Sequence, residues 1–169
     1  MNFCIEDIPA QVVCDAINGL VPNYHEDISN PEEALDKGEG NCFARMKLGG
    51  AALQLLGAGD DCYQATCDPD SILPSHGFLL LNPLLGDGNS LLTINSSRRG
   101  AYVYNNGYSP CHTDEDMRQR IQNGVFPITI TDWKVTQLTR VSDIEYPELA
   151  IEAVSEALTE MGYILRSSF

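Results

Sequence analysis

The spacing of apolar residues predicts helices in the first third of the chain. Residues 9–18 place Val12, Val13, Ala16 and Ile17 at helical spacing, and Gly19 predicts the end of this helix. Asn30, followed by a proline and two glutamates, has the pattern of an N-cap with proline at the first helical position. A short second helix is therefore predicted to begin there and to end in the loop at residues 38–40.

A third helix is predicted to begin at Asn41 or Cys42, directly behind the loop. Its apolar stripe consists of Phe43, Met46, Gly50, Leu53 and Leu56 or Gly57. The neighbouring glycines 49 and 50 lower helix stability, so we expect another element to pack closely against them.

Beyond residue 59 the pattern changes to short segments rich in Leu, Ile, Thr and Tyr. Strands are predicted at residues 62–67, 77–82, 90–95, 101–104 and 128–141, and the GDGN sequence predicts a turn between the second and third of them. Residues 113–123 have a capping box and a glycine stop, and residues 147–161 form an amphipathic pattern ended by Gly162. Helices on both sides of mostly antiparallel strands predict one α+β domain over residues 1–169.

The predicted hairpin brings two polar residues together. The midpoint of residues 76 and 95 is 85.5, inside the predicted turn, so His76 and Asn95 are expected to face each other at the open end of the hairpin. The Asn95 oxygen would accept a hydrogen bond from Nδ1–H of His76 and leave Nε2 available to a nucleophile. Asn95 could instead cap the bend at Ser96 and Ser97.

Cys42 is the candidate nucleophile. A helix N-terminus favours a thiolate, and a neighbouring imidazolium would lower the thiol pKa further, to roughly 3.5–7.5. Cys42, His76 and Asn95 would then form a catalytic triad in that chain order. The alternative for Cys42 is a structural role, because cysteine is among the most often buried residue types.

Several short motifs resemble the transglutaminase-like superfamily. These are GNCFA at residues 40–44, LLGAGD at the end of the same helix, HGF at residues 76–78 and LTINS at residues 92–96, and the resemblance extends over about residues 31–97. The resemblance implies a papain-like α+β fold, with Cys42 as nucleophile, His76 as base and Asn95 as the residue that orients the base. Two positions differ from the usual family pattern: Phe78 replaces an aromatic that is commonly tryptophan, and Asn95 replaces aspartate.

The activity implied by this resemblance is thiol-dependent acyl transfer. With water as acceptor, the protein would hydrolyse an amide or peptide bond as a cysteine protease or amidase, and this is the activity that we expect. An amine acceptor would make it a transglutaminase, and an arylamine N-acetyltransferase shares the same triad. The alternative outside enzymology is an inactive binding or scaffolding module on the same fold.

Composition narrows the setting of this chemistry. Ten basic and 24 acidic residues give a net charge of −14, which would repel nucleic acid and anionic membranes. The start of the chain has no export-signal pattern, so we expect a cytoplasmic protein that acts on a peptide or protein amide. The sequence does not determine the oligomeric state.

Six cysteines allow three interpretations, of which reduced thiols are the expected one for an intracellular chain of this size. A disulfide framework is the second. A zinc site, for which Cys62, Cys67, Cys111 and His112 have donor atoms, is the third, but CxxC pairs are absent. No cofactor or metal is therefore expected.

The remaining polar candidates have less support. His25 and His112 lie in polar loops, and Trp133 lies in an alternating strand where a core role is expected. Arg98 and Arg99 follow the strand of Asn95, where they could bind a substrate carboxylate or nearby backbone.

Overall fold

The computed structural model describes residues 10–69, 75–81, 92–105, 113, 115, 119 and 133–163. Its helices are α1 (Ala10–Leu20), α2 (Pro31–Lys37), α3 (Cys42–Leu55) and α4 (Glu148–Glu160). Its strands are β1 (Asn23–Tyr24), β2 (Glu39–Gly40), β3 (Cys62–Pro69), β4 (His76–Leu81), β5 (Leu92–Ser97), β6 (Gly100–Asn105) and β7 (Trp133–Arg140). Short 3₁₀ turns at Gly59–Asp61 and Val141–Asp143 precede β3 and follow β7.

The first two predicted helices are present. Helix α1 continues through Gly19 to Leu20, because the break comes from Pro22, which disfavours helical geometry at the residue before it. Asn30 caps α2 as predicted, and its Oδ1 accepts from the N–H groups of Glu32 and Glu33 at 2.8 and 3.1 Å. Gly38 ends α2 at φ 67°, the left-handed conformation that glycine adopts without strain.

The glycine pair of α3 is packed closely, as the sequence predicts. A Cβ on Gly49 would lie 2.9 Å from Cδ1 of Ile17 and also against Leu79. A Cβ on Gly50 would overlap the Tyr146 hydroxyl. These two glycines let α1, β4 and the segment before α4 approach the helix axis.

Helix α3 is buried over most of its circumference, which the single predicted stripe does not describe. Leu48, Ala51, Ala52 and Leu53 are all fully buried, and so is the charged side chain of Arg45. The helix packs on β3, β4 and β5 and also contacts α1, α2 and α4. Its N-terminus therefore has a fixed position relative to the sheet.

The large sheet has the strand order β6-β5-β4-β3-β7, and every neighbouring pair is antiparallel. A register shift between Thr66 and Cys67 interrupts the pairing of β3 with β7. Each strand predicted from residue 62 onward is present where the structure describes it, but the third extends to Ser97 and the last ends at Arg140, before the 3₁₀ turn at Val141–Asp143. The predicted GDGN turn, residues 128–132 and most of the predicted helix at residues 113–123 lie outside the described residues.

Both faces of the central strands are buried. Leu79 and Leu81 of β4 and Ile94 of β5 belong to the core shared with the helices. The alternate positions, including Phe78, Leu80 and Thr93, are also buried and point to the second face of the sheet. Burial on both faces explains why residues 78–81 form a continuous apolar run.

The described residues form an α+β structure with an antiparallel sheet. Within those residues, every helix is too short or too polar to cross a membrane.

Candidate functional site

Asn41 fixes the helix start that carries Cys42. Its Oδ1 accepts from the N–H groups of Phe43 and Ala44 at 3.0 and 3.2 Å. Its Nδ2 donates to the Glu26 carbonyl at 3.0 Å and to Ser29 Oγ at 2.6 Å. Because the capping amide is held from both sides, Cys42 occupies a rigid first helical position.

The Cys42 thiol lies against backbone amides. The backbone N–H groups of Gly77, Phe43 and Cys42 itself lie near enough to its sulfur to favour the thiolate. Burial raises the pKa of Cys42, and these three donors together with nearby Arg45 oppose the increase. The net direction is opposite to the lowered pKa expected from the helix N-terminus, because desolvation outweighs the dipole and the donors.

Gly77 allows strand β4 to approach the start of α3. A Cβ at this position would lie 2.8 Å from Cδ1 of Phe43 and 3.0 Å from Sδ of Met46. A side chain here would push the strand away from the helix. The residue next to His76 is therefore in contact with the residues that surround Cys42.

His76 and Asn95 interact directly, as the sequence predicts, but through a different ring nitrogen. The Nε2 atom of His76 contacts Asn95 Oδ1. The expected bond from Nδ1 is therefore wrong. If Nε2–H donates to Oδ1, the neutral ring has its lone pair on Nδ1, and Nδ1 is the atom that could accept a proton.

The register of the hairpin differs from the prediction by two residues. Leu79 pairs with Ile94, so continuing the register places Asn95 opposite Phe78, not opposite His76. The two side chains meet diagonally across the strands, which is within reach of a histidine and an asparagine. The His76 ring also stacks on Phe78, with 6.0 Å between centroids and 13° between the ring planes.

Asn95 is buried, with 2% of its surface exposed, and three groups hold its amide. Oδ1 accepts from Ser96 N–H at 2.9 Å as well as contacting His76. Nδ2 donates to the Tyr102 hydroxyl at 3.2 Å. The amide thus bonds to the bend at Ser96, which is one of its two predicted interactions. It also contacts His76, which is the other.

His76 is mostly buried, and burial lowers the pKa of its imidazole while the bond to Asn95 opposes that change. The ring is therefore neutral near neutral pH. The two pKa shifts favour the uncharged forms of both Cys42 and His76, not the thiolate–imidazolium pair that the sequence predicts.

Cys67 is a rival thiol that the sequence did not single out. It pairs directly with His76 across β3 and β4, which places both side chains on the same face of the sheet. Cys67 is fully buried, however, and burial raises its pKa to about 12, with Asp68 adding to the increase. Cys42 keeps 9% of its surface exposed.

Tyr24 and Arg45 are further residues of this site that the sequence did not indicate. The short parallel pair of β1 and β2 places Tyr24 beside Gly40, two residues before Cys42. The guanidinium carbon of Arg45 lies 5.8 Å from the centre of the Tyr24 ring, and that of Arg98 lies 5.7 Å from it. Burial, with the nearby Cys42, raises the pKa of Tyr24, so its hydroxyl stays protonated.

A narrow crevice lies between the start of α3 and strands β4 and β5, near the point where the pairing of these two strands ends. Cys42, Arg45, Gly77 and Asn95 line it, and its volume of about 10 Å³ is no more than one water requires. A larger groove of about 580 Å³ lies between Gln54, Asp60 and Tyr146 and shares no lining residue with the crevice. Cys42, Arg45 and Asn95 therefore meet at the smaller of the two, whereas His76 is not one of its lining residues.

Cys14, Cys42, Cys62 and Cys67 are free thiols. Cys4, Cys111 and His112 lie outside the described residues. Within the described ranges, no three histidine, cysteine or acidic side chains come together as metal ligands.

Comparison of the sequence with known proteins finds no protein-family model and no curated protein that matches it.

The thiol pKa shifts predict the pH dependence of alkylation. Because the pKa of Cys42 is raised, its thiolate should form above the pH range of a free thiol. Cys14 and Cys67, whose pKa values are both about 12, should react later still. Iodoacetamide labelling of the native protein at increasing pH, followed by mass spectrometry, should therefore show Cys42 labelled before either. A midpoint for Cys42 below that of a free thiol would contradict the expectation and show a thiolate–imidazolium pair.

Proposed function

We propose that the protein is a thiol-dependent acyl-transfer enzyme that hydrolyses an amide or peptide bond through Cys42, His76 and Asn95. The observation that supports the proposal most is the His76–Asn95 pair, because the next residue along the chain, Gly77, has its N–H group near the Cys42 sulfur. The fold that we propose for this site is papain-like or transglutaminase-like.

In the proposed reaction, His76 takes the thiol proton while the Cys42 sulfur attacks the carbonyl carbon. The protonated imidazole then gives that proton to the leaving amine, and the acyl group remains on sulfur as a thioester. Water, deprotonated by the same ring, attacks the thioester and releases the acid, so the thiol is regenerated. Asn95 keeps Nε2–H occupied and the ring in one orientation.

The first turn of α3 would stabilise the oxyanion. The first N–H groups of a helix have no carbonyl partner within that helix. Asn41 Oδ1 already accepts from the N–H groups of Phe43 and Ala44, so the Cys42 N–H is the donor of this turn that remains beside the sulfur. An oxyanion formed on a carbonyl bound to that sulfur would lie beside this amide. Among the described helices, none has its N-terminus beside Cys67 in β3, so we assign the nucleophile to Cys42.

Acyl transfer to Cys42 can be tested with an activated ester. On incubation with p-nitrophenyl acetate, the parent protein should gain one acetyl group on Cys42, with release of nitrophenol and slower return of the free thiol. The Cys67→Ala variant should behave like the parent, whereas Cys42→Ala should not be acetylated at this site. Acetyl found on Cys67 alone would contradict the assignment of the nucleophile.

The same experiment separates the acceptors. If water resolves the thioester, acetate accumulates at the same rate with or without a primary amine. If an amine competes efficiently, an amide forms and the protein acts as a transglutaminase.

A binding or scaffolding module is the second candidate, favoured by the small crevice and by the raised pKa of Cys42. Under this function, Cys42 would remain unacylated by the ester while the protein stayed folded.

A further inference from the structure

Arg45 is a buried cation without an acidic partner among the described residues. Only 1% of its surface is exposed, and its Nη1 and Nη2 donate to the carbonyls of Ser97 at 2.7 Å and Val21 at 3.3 Å. Within the described part of the chain, its Nε has no acceptor. A buried charge of this kind is costly unless an anion compensates it.

The position of Arg45 indicates where that anion would lie. Arg45 is three residues after Cys42, on the same side of α3, and both side chains line the crevice. Burial lowers the pKa of Arg45, whereas Tyr24 and Cys42 oppose the decrease. The charge of Arg45 therefore acts on the same small volume in which Cys42 would react.

Arg98 extends this positive charge to the surface. It is exposed, and its guanidinium lies over the same Tyr24 ring that Arg45 approaches. The one ion pair within the described residues joins Lys37 to Glu33. Neither Arg45 nor Arg98 therefore forms an ion pair with a described carboxylate. The negative charge of Glu26, an exposed residue, contributes to the raised pKa of Tyr24. The arginines thus form a local cationic region on a chain of net charge −14.

We propose that Arg98, Tyr24 and Arg45 form an anion-binding subsite beside Cys42, and that the acyl donor presents a carboxylate to it. This inference rests on the proposed function and adds the substrate class. Arg98 would bind the carboxylate through its planar fork, Tyr24 would hold that fork in place, and Arg45 would supply a fixed charge behind them. The substrate would be an acidic peptide or another amide with a carboxylate near the scissile bond.

Two alkylating reagents of nearly equal size test this subsite. Iodoacetate is anionic and iodoacetamide is neutral, and both transfer a two-carbon group to sulfur with loss of iodide. The ratio of their rates at Cys42 measures the preference for an anion. We expect Arg98→Gln to lower the iodoacetate rate about two- to fivefold, as expected for an exposed ionic contact, and to leave the iodoacetamide rate unchanged.

Arg99→Gln is the matched control, because Arg99 is the exposed neighbour of Arg98 and its backbone N–H, not its guanidinium, bonds to Ser97 Oγ. This variant should keep the parent ratio. Added salt should slow iodoacetate and not iodoacetamide in the parent protein.

The outcomes separate this inference from the proposed function. An unchanged ratio in Arg98→Gln, with Cys42 still acylated by the ester, would overturn the subsite and leave the enzyme proposal standing. Failure of the ester and of both reagents at Cys42 in the folded protein would overturn both. An equal loss of the ratio in Arg99→Gln would assign the effect to general surface charge and would also overturn the subsite.

Discussion

Replacement of His76 by alanine is expected to slow acylation of Cys42 by about 10²–10⁴-fold, the usual contribution of a general base. The expectation follows from the uncharged state of both partners: with a raised thiol pKa, attack requires a base that removes the proton as the bond forms. The measurement is the rate of acetyl transfer from p-nitrophenyl acetate to Cys42. The free energy of unfolding, measured in parallel, shows that the variant is folded.

His25→Ala is the control for this prediction. His25 is exposed, and its Nδ1 accepts from the Asp27 N–H at 3.2 Å, so its removal should leave acylation unchanged. Acylation of folded His76→Ala at the parent rate would remove His76 from the mechanism.

The second large effect is expected from Gly50→Ala, which should destabilise the fold by about 1–5 kcal/mol. The added methyl group would overlap the Tyr146 hydroxyl and lie 2.7 Å from Gln64 Oε1. These two groups share a hydrogen bond of 2.6 Å, which the methyl group would break. Overpacking costs about 1–3 kcal/mol and an unsatisfied buried group about 1–3 kcal/mol, against a helix-propensity gain of about 1 kcal/mol.

Gly19→Ala is the matched substitution, because nothing lies within 4 Å of a Cβ at this position in α1. It should stabilise the protein by about 0.5–1 kcal/mol through helix propensity alone. Urea unfolding of both variants measures the difference. If Gly50→Ala is as stable as the parent, Tyr146 moves aside at little cost and the contact is not a constraint.

Local signals were sufficient to predict the helices near the site. The cap at Asn30 depends on adjacent residues, and so does the start of α3 behind Asn41. The close approach to Gly49 and Gly50 could also be predicted, because two glycines inside a helix imply a neighbour that needs the space.

The geometry of the histidine pair could be predicted only in part. Turn arithmetic brought His76 and Asn95 together, but the exact pairing depends on how the hairpin closes, and a shift of two residues keeps both side chains on the same face. The choice of Nε2 over Nδ1 depends on a ring rotation, which sequence does not encode locally. The bend at Ser96 and the contact with His76 both use Oδ1 of Asn95.

The sequence singles out Arg98 as a possible carboxylate ligand, but the rest of the cationic surroundings of Cys42 depends on how the chain assembles. Tyr24 reaches the site through a strand pair only two residues long, too short to produce a hydrophobic pattern. Arg45 lies on a helix whose neighbours are apolar, and its acceptors are backbone carbonyls at Val21 and Ser97. The net direction of the Cys42 pKa likewise depends on burial by the assembled fold.

The contact between Asn18 and strand β6 bears on self-association. Within the described residues β6 lies at one edge of the large sheet, where unpaired backbone groups could recruit a strand from another molecule. Asn18 of α1 accepts from the Ala101 N–H at 2.7 Å and donates to the Ala101 carbonyl at 3.0 Å. Its side-chain amide thus takes the place of a sixth strand at Ala101 and blocks edge-to-edge aggregation there.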